Sequence, residues 1–274
     1  MQFTKMQGLG NDFIVFDAIN QTVELSPKQL RFLADRRFGV GCDQILLVEA
    51  AQSENTDFHY RIFNTDGSEV EQCGNGARCF ARFVRNKGLS DRDVIRVGTG
   101  GGDIQLYLED NGWVRVDMGS PILQPDAIPF IADREQPVYD IEVNGQTLQI
   151  GAVSMGNPHA VLLVDNVKNA PVETLGPALE KHERFPRRVN VGFMKVRSPT
   201  EIDLRVFERG TGETLACGTG ACAAVVSGQL RGLLKEGVRV HLPGGDLVIC
   251  WEGGHSTLWM SGPAAEVFEG NIEL

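Results

Sequence analysis

Apolar and polar positions follow two periods along this chain. At helical spacing, Leu30, Leu33 and Ala34 share one face of a segment that follows Ser26, an N-cap residue type, and Pro27, which suits a first turn. A helix is predicted over residues 27–37, and a second over 76–87, closed by Gly88. Short runs rich in Val, Ile and aromatic residues, bounded by Gly and Asn, read as strands at 12–18, 60–63, 94–97, 104–109 and 113–118. The second half gives a strand at 160–164, a helix at 172–182, a strand at 202–208, a helix at 220–231 and strands from 238 onward. Many strands around few helices predict an α+β fold, with a curled, mostly antiparallel sheet around a central helix in each half.

The halves are also related residue by residue. Placed 144 positions apart, Arg61, Phe63, Glu69, Cys73, Gly74, Gly76 and Ala77 fall on Arg205, Phe207, Glu213, Cys217, Gly218, Gly220 and Ala221. Gly10-Asn11 meets Gly156-Asn157, Gly101-Gly102-Asp103 meets Gly244-Gly245-Asp246, and Met118 meets Met260, at nearly the same offset. Five markers in one order indicate a duplicated unit of about 140 residues, not a solenoid of short repeats. Pro121, Pro125 and Pro129 mark the junction. The expected domains are residues 1–117 and 118–263, with a last strand at 264–274 packing back on the first. Two pseudo-symmetric domains of this kind place a ligand site in the cleft between them.

Composition narrows the function. A formal charge of −10 argues against nucleic acid as a partner. No apolar run is long enough for a membrane span, and the first residues lack a basic-then-apolar leader, so a soluble cytoplasmic protein is expected. Six cysteines in 274 residues are too sparse for a disulfide scaffold. Their spacing does not match zinc pairs, and the five His are not clustered, so no metal is expected. The 98–102 glycine run lacks the Gly-Lys-Ser/Thr ending of a phosphate loop and reads as a hairpin turn; Gly8-Leu9-Gly10 lacks the third glycine of a dinucleotide fingerprint.

Cys42, Cys79, Cys222 and Cys250 read as small buried apolar residues. Cys73 and Cys217 differ: each precedes a Gly-x-Gly-Ala turn that enters a helix. Unpaired N–H groups and partial positive charge at a helix start lower a thiol pKa from about 8.5 to about 3.5–7.5 and also hold carboxylates. If the halves face each other, the two thiols flank one small molecule. A thiolate on one face and a thiol on the other is what inversion at carbon requires, and the N–H groups would stabilise the charge built up on deprotonation. A thiol–disulfide redox protein would carry a C-x-x-C pair, which is missing. A binding protein without catalysis, and a paired-cysteine racemase acting on proline or hydroxyproline, remain as alternatives.

The chain resembles the diaminopimelate epimerase family over essentially its whole length. The markers are Gly8-Leu9-Gly10-Asn11-Asp12-Phe13, Gly41-Cys42-Asp43-Gln44, Phe63-Asn64-Thr65-Asp66-Gly67-Ser68-Glu69, Gln72-Cys73-Gly74-Asn75-Gly76-Ala77-Arg78-Cys79, Gly156-Asn157-Pro158-His159, Glu208-Arg209-Gly210, Gly212-Glu213-Thr214 and Ala216-Cys217-Gly218-Thr219-Gly220-Ala221. The resemblance implies a cofactor-independent homodimer, using neither pyridoxal phosphate nor metal, that epimerises LL-2,6-diaminopimelate to the meso form for lysine and peptidoglycan precursor synthesis. It implies that Cys73 and Cys217 are the acid–base pair, with His159 and Glu208 assisting proton handling. Gly74, Asn75, Gly218 and Thr219 would hold the reacting carboxylate through backbone N–H groups. Asn64, Asn157, Asn190 and Arg209 would hold the far amino-carboxylate end with Glu208 nearby, and Asn11 and Gln44 would line the site. Cys42 stands where the family often has an aromatic residue, and Ala160 where it often has Cys.

Overall fold

The computed structural model describes residues 1–70 and 73–274; Gln72, the first residue of the motif around Cys73, lies outside the described residues. The chain forms two compact units, Met1–Asp117 with Ser261–Leu274, and Met118–Met260. No helix among the described residues is long and apolar enough to cross a membrane.

In the first unit the sheet begins with Ala265–Asn271, antiparallel to Gln2–Gly8, which is antiparallel to Asn11–Asp17. Asn11–Asp17 runs parallel to Gln44–Ala50, and Phe58–Asn64 follows antiparallel. Phe58–Asn64 pairs antiparallel with Glu69–Val70 and parallel with Val94–Thr99, after which Gly102–Leu108 and Val114–Asp117 close the sheet as antiparallel hairpins. The sheet is mostly antiparallel with two parallel joints. The second unit repeats the order. Tyr139–Val143, Gln146–Ser154 and Pro158–Leu163 are antiparallel; Pro158–Leu163 is parallel to Asn190–Ser198; Glu201–Glu208 follows antiparallel. Glu201–Glu208 then pairs with Gly212–Thr214 and, in parallel, with Gly237–Leu242, which forms a hairpin with Gly245–Cys250.

Among the described residues, four α-helices pack on these sheets: α1 (Pro27–Ala34), α2 (Gly74–Asn86), α3 (Val172–Glu180) and α4 (Gly218–Leu230). α2 and α4 are the central ones. Residues 220–228 of α4 are buried on every side, as a helix without a polar face must be. α1 covers the other sheet face of the first unit, where Leu30, Leu33 and Ala34 pack with Ile14, Phe16, Ile45 and Leu47. The strand Asn11–Asp17 is therefore covered on both faces, which is why Phe13-Ile14-Val15-Phe16 is a continuous apolar run without alternation. α3 does the same in the second unit, packing Val172 and Leu179 with Val191, Phe193, Phe130 and Phe185; the last two rings stack at 4.6 Å.

Element ends differ from the pattern-based expectation in instructive ways. α1 stops at Ala34, three residues before the predicted end, because Asp35 is extended and its carboxylate accepts the N–H groups of Arg37 and Phe38 (2.7 and 2.9 Å). α2 and α4 each start two residues earlier than predicted, so that Cys73 and Cys217 are themselves the N-cap residues, with extended backbone (φ −144° and −123°). α3 stops at Glu180, not at His182. The residue 98–102 turn joins Val94–Thr99 to Gly102–Leu108 as a hairpin. The pattern does not reveal several strands, among them Gln2–Gly8, Tyr139–Val143, Gln146–Ser154, Gln44–Ala50 and Asn190–Ser198; the last two are the parallel partners that bring the site residues into register.

The start of α2 is tightly seated. A Cβ added at Gly76 would come within 2.6 Å of Tyr60 Oη, and that hydroxyl donates to the Cys73 carbonyl at 3.4 Å. Gly76→Ala is expected to destabilise the protein by about 1–3 kcal/mol, the usual cost of overpacking, read as a lowered urea midpoint at unchanged m-value.

Candidate functional site

Strand register assembles the predicted residues in each unit. Phe13 pairs with Gln44, and Gln44 with Asn64, in the first unit. In the second unit His159 pairs with Asn190, and Val191 with Phe207, so Asn190 lies beside Glu208 near Cys217. The two rows are equivalent in topology and different in chemistry: His159 stands where the first unit has Phe13, and Glu208 where it has Asn64.

Around Cys217 the groups are close. Its thiol donates to Glu208 Oε2 at 3.2 Å, and the Thr219 hydroxyl is 3.6 Å from the sulfur. Thr214, a side chain outside the predicted set, donates to Glu208 Oε1 at 2.6 Å and fixes the carboxylate. Its signal was present in the Gly212-Glu213-Thr214 marker, but only the fold shows that the short strand Gly212–Thr214 turns it onto Glu208. The helix-start expectation of a lowered thiol pKa fails at Cys217. The side chain is 5% exposed, and burial, with the Glu208 carboxylate beside it, pushes the thiol well above its ordinary 9.0, although the Gly220 N–H and Thr219 hydroxyl pull the other way. The resting residue is a protonated thiol hydrogen-bonded to Glu208.

His159 is 1% exposed. Burial, with the Arg209 charge added, lowers its pKa from 6.5 to about 3, so the ring is neutral. Its Nε2–H donates to Asn157 Oδ1 at 2.9 Å, and the Asn190 amide lies 3.5 Å away. Asn190 Oδ1 accepts the Arg209 backbone N–H at 2.9 Å, and Glu180, a buried carboxylate, accepts the Gly210 N–H at 2.8 Å, which fixes the turn carrying Arg209. The Arg209 side chain is exposed and donates to the Arg187 carbonyl at 3.2 Å. The structure thus brings His159, Asn157, Asn190 and Arg209 together in one unit, and Glu208, Thr219 and Cys217 into direct contact.

In the first unit, Cys73 Sγ lies 3.9 Å from Asn11 Oδ1, which also accepts the Asn75 side-chain amide at 3.3 Å. Gln44 donates to Asn64 Oδ1 at 3.1 Å, and Asn64 donates to Ser68 Oγ at 3.2 Å. Arg78, fully buried within α2, donates to the Pro263 carbonyl at 3.2 Å and to the Gly74 carbonyl at 3.4 Å. The first N–H groups of α2 and α4, at Gly74-Asn75 and Gly218-Thr219, precede the first intrahelical bonds, which run from Ala77 to the Cys73 carbonyl and from Ala221 to the Cys217 carbonyl. Cys42 and Cys79 are fully buried and pushed up to about 12 by burial; Cys222 is buried and Cys250 half-buried. Ala160 packs in the α3 core. Among the described residues, no three or more His, Cys, Asp or Glu side chains are grouped to hold a metal ion.

Known proteins match this chain closely. A family model described as diaminopimelate epimerase matches residues 3–124 and 151–267. Proteins named diaminopimelate epimerase from Alkalilimnicola ehrlichii and Thioalkalivibrio sulfidiphilus are 61% and 63% identical, each covering 100% of this chain and 99% of its own length. A solved hydroxyproline epimerase from Agrobacterium vitis, with trans-4-hydroxy-L-proline bound, superposes at a TM-score of 0.69 with 16% identity, over 98% of this chain and 91% of the other; that likeness concerns the fold alone.

Two measurements follow from the geometry. Glu208→Gln removes the charge that raises Cys217, so the pH midpoint of iodoacetamide alkylation at the Cys217 peptide should move down while staying above that of an exposed thiol. His159 has a folded pKa below its unfolded value, so the unfolded state binds more protons between pH 6.5 and about 3. Stability is complete above about 6.5 and is lost as pH falls through that window; His159→Gln should flatten that part of the urea-midpoint profile.

Proposed function

The chain belongs to the diaminopimelate epimerase family and is an isomerase, and from that premise we propose that it converts LL-2,6-diaminopimelate to the meso form with Cys73 and Cys217 as a thiolate–thiol pair. The observation that supports this most directly is the pair of thiols at equivalent N-caps, one with its proton directed at a carboxylate 3.2 Å away. In the proposed cycle one thiolate takes the α-proton and the opposite thiol delivers a proton to the other face; the roles exchange in the reverse direction. Glu208 takes the Cys217 proton when that residue is to act as base, and Thr214 keeps the carboxylate in line. The N–H groups at Gly74-Asn75 and Gly218-Thr219 would hold the reacting carboxylate and stabilise the charge that builds on it. Arg209 would bind the distal carboxylate, with Asn64, Asn157 and Asn190 receiving the distal ammonium and carboxylate. His159, neutral throughout the physiological range, orients Asn157 through its Nε2–H. The scheme needs no cofactor. The family resemblance extends the proposal to a cytoplasmic homodimer, which light scattering of the purified protein tests.

Cys73→Ala and Cys217→Ala should each abolish inversion, since neither half-reaction completes without its partner. The assay follows conversion of LL-diaminopimelate and uptake of deuterium at its α-carbon from heavy water, with proline and hydroxyproline run alongside. Turnover near the native rate in either variant, or preference for the cyclic substrates, would overturn the reading.

A further inference from the structure

Within the first unit, four side chains form a hydrogen-bond chain whose direction is forced at both ends. Arg78 Nη2 donates to Asn75 Oδ1 at 2.9 Å, Asn75 Nδ2 donates to Asn11 Oδ1 at 3.3 Å, and Asn11 Nδ2 donates to Asp43 Oδ2 at 3.0 Å. A guanidinium only donates and a carboxylate only accepts, so neither amide can turn over without facing like against like. Asp43 is itself fixed: Oδ2 also accepts the Asp12 N–H at 3.1 Å, and Oδ1 accepts from Arg36 at 2.8 Å, which in turn clamps Asp12 at 2.6 and 3.0 Å. The second unit has no such terminus, because Val189 occupies the position equivalent to Asp43, one residue before Asn190 as Asp43 precedes Gln44.

We propose that Asp43 is a positioning residue that holds the Asn11 carbonyl oxygen, not its N–H, against Cys73, giving that thiol a neutral acceptor where Cys217 has Glu208. This rests on Cys73 being one of the two working thiols, but its test does not. An acceptor on the sulfur favours the protonated form, so releasing Asn11 should make the thiolate easier to form.

A double-mutant cycle between Asp43→Ala and Asn11→Ala, read by pH-dependent alkylation at the Cys73 peptide, separates positioning from plain charge. Tyr60, Cys79, Arg78 and Asp12, ionisable side chains around Cys73 and Asn11 among the described residues, are the same in all four proteins. Asp43→Ala alone should lower the alkylation midpoint by roughly half to one pH unit and kcat by about 10–100-fold. In the Asn11→Ala background it should change neither. Equal shifts in both backgrounds would mean that Asp43 acts through its charge alone and would overturn the proposal, as would an unmoved midpoint in the native background. Asp43→Leu, of the same shape with no acceptor, replaces Asp43→Ala if that variant does not fold. Loss of turnover in every protein, native included, with the midpoint shifts intact would count against the epimerase reading and leave this one standing.

Discussion

A helix with no polar face must be enclosed, and that requirement organises the second unit. Residues 220–228 are buried all round, so the sheet has to wrap α4, whereas α2 in the first unit is amphipathic and buries Ala77, Phe80, Ala81, Phe83 and Val84. Enclosure leaves the helix starts as the places where unpaired N–H groups are available to a ligand. Both starts are capped by cysteine, whose extended backbone lets the strand-to-helix turn form without a side-chain cap. Placing a thiol there puts it within reach of those N–H groups, half-buried at Cys73 and buried at Cys217.

That burial decides the resting state of Cys217. A helix terminus is worth about 0.3–1 kcal/mol to a charged neighbour, rising to about 2 in partly buried sites. At 1.36 kcal/mol per pKa unit this is about one unit, whereas full burial moves a group by up to about 3–5 units. A carboxylate at 3.2 Å adds to the burial. The favourable helix start is therefore outweighed, and Cys217 rests as the thiol.

The duplication preserves topology and changes chemistry. Both sheets have the same order of parallel and antiparallel joints, and the same three register positions recur in each. In one unit they carry Phe13, Gln44 and Asn64; in the other, His159, Asn190 and Glu208. The first thiol accordingly sits beside amides and the second beside a carboxylate. Two thiols at equivalent helix starts thus have unlike neighbours.

The sequence by itself determined the duplication, the α+β class and the central position of the two Gly-x-Gly-Ala helices, because these follow from residue type and spacing. It also determined the family, since Cys73, Cys217 and their flanking markers stand in fixed order. Only the tertiary structure decided which strands pair in parallel, and so that Gln44 meets Asn64 and His159 meets Asn190. Periodicity along one segment says nothing about its partner strand. It also decided the sign of the Cys217 shift, the neutrality of His159 and the contacts made by Thr214 and Asp43. Those depend on burial and on groups far apart in the chain that only folding brings within hydrogen-bond distance.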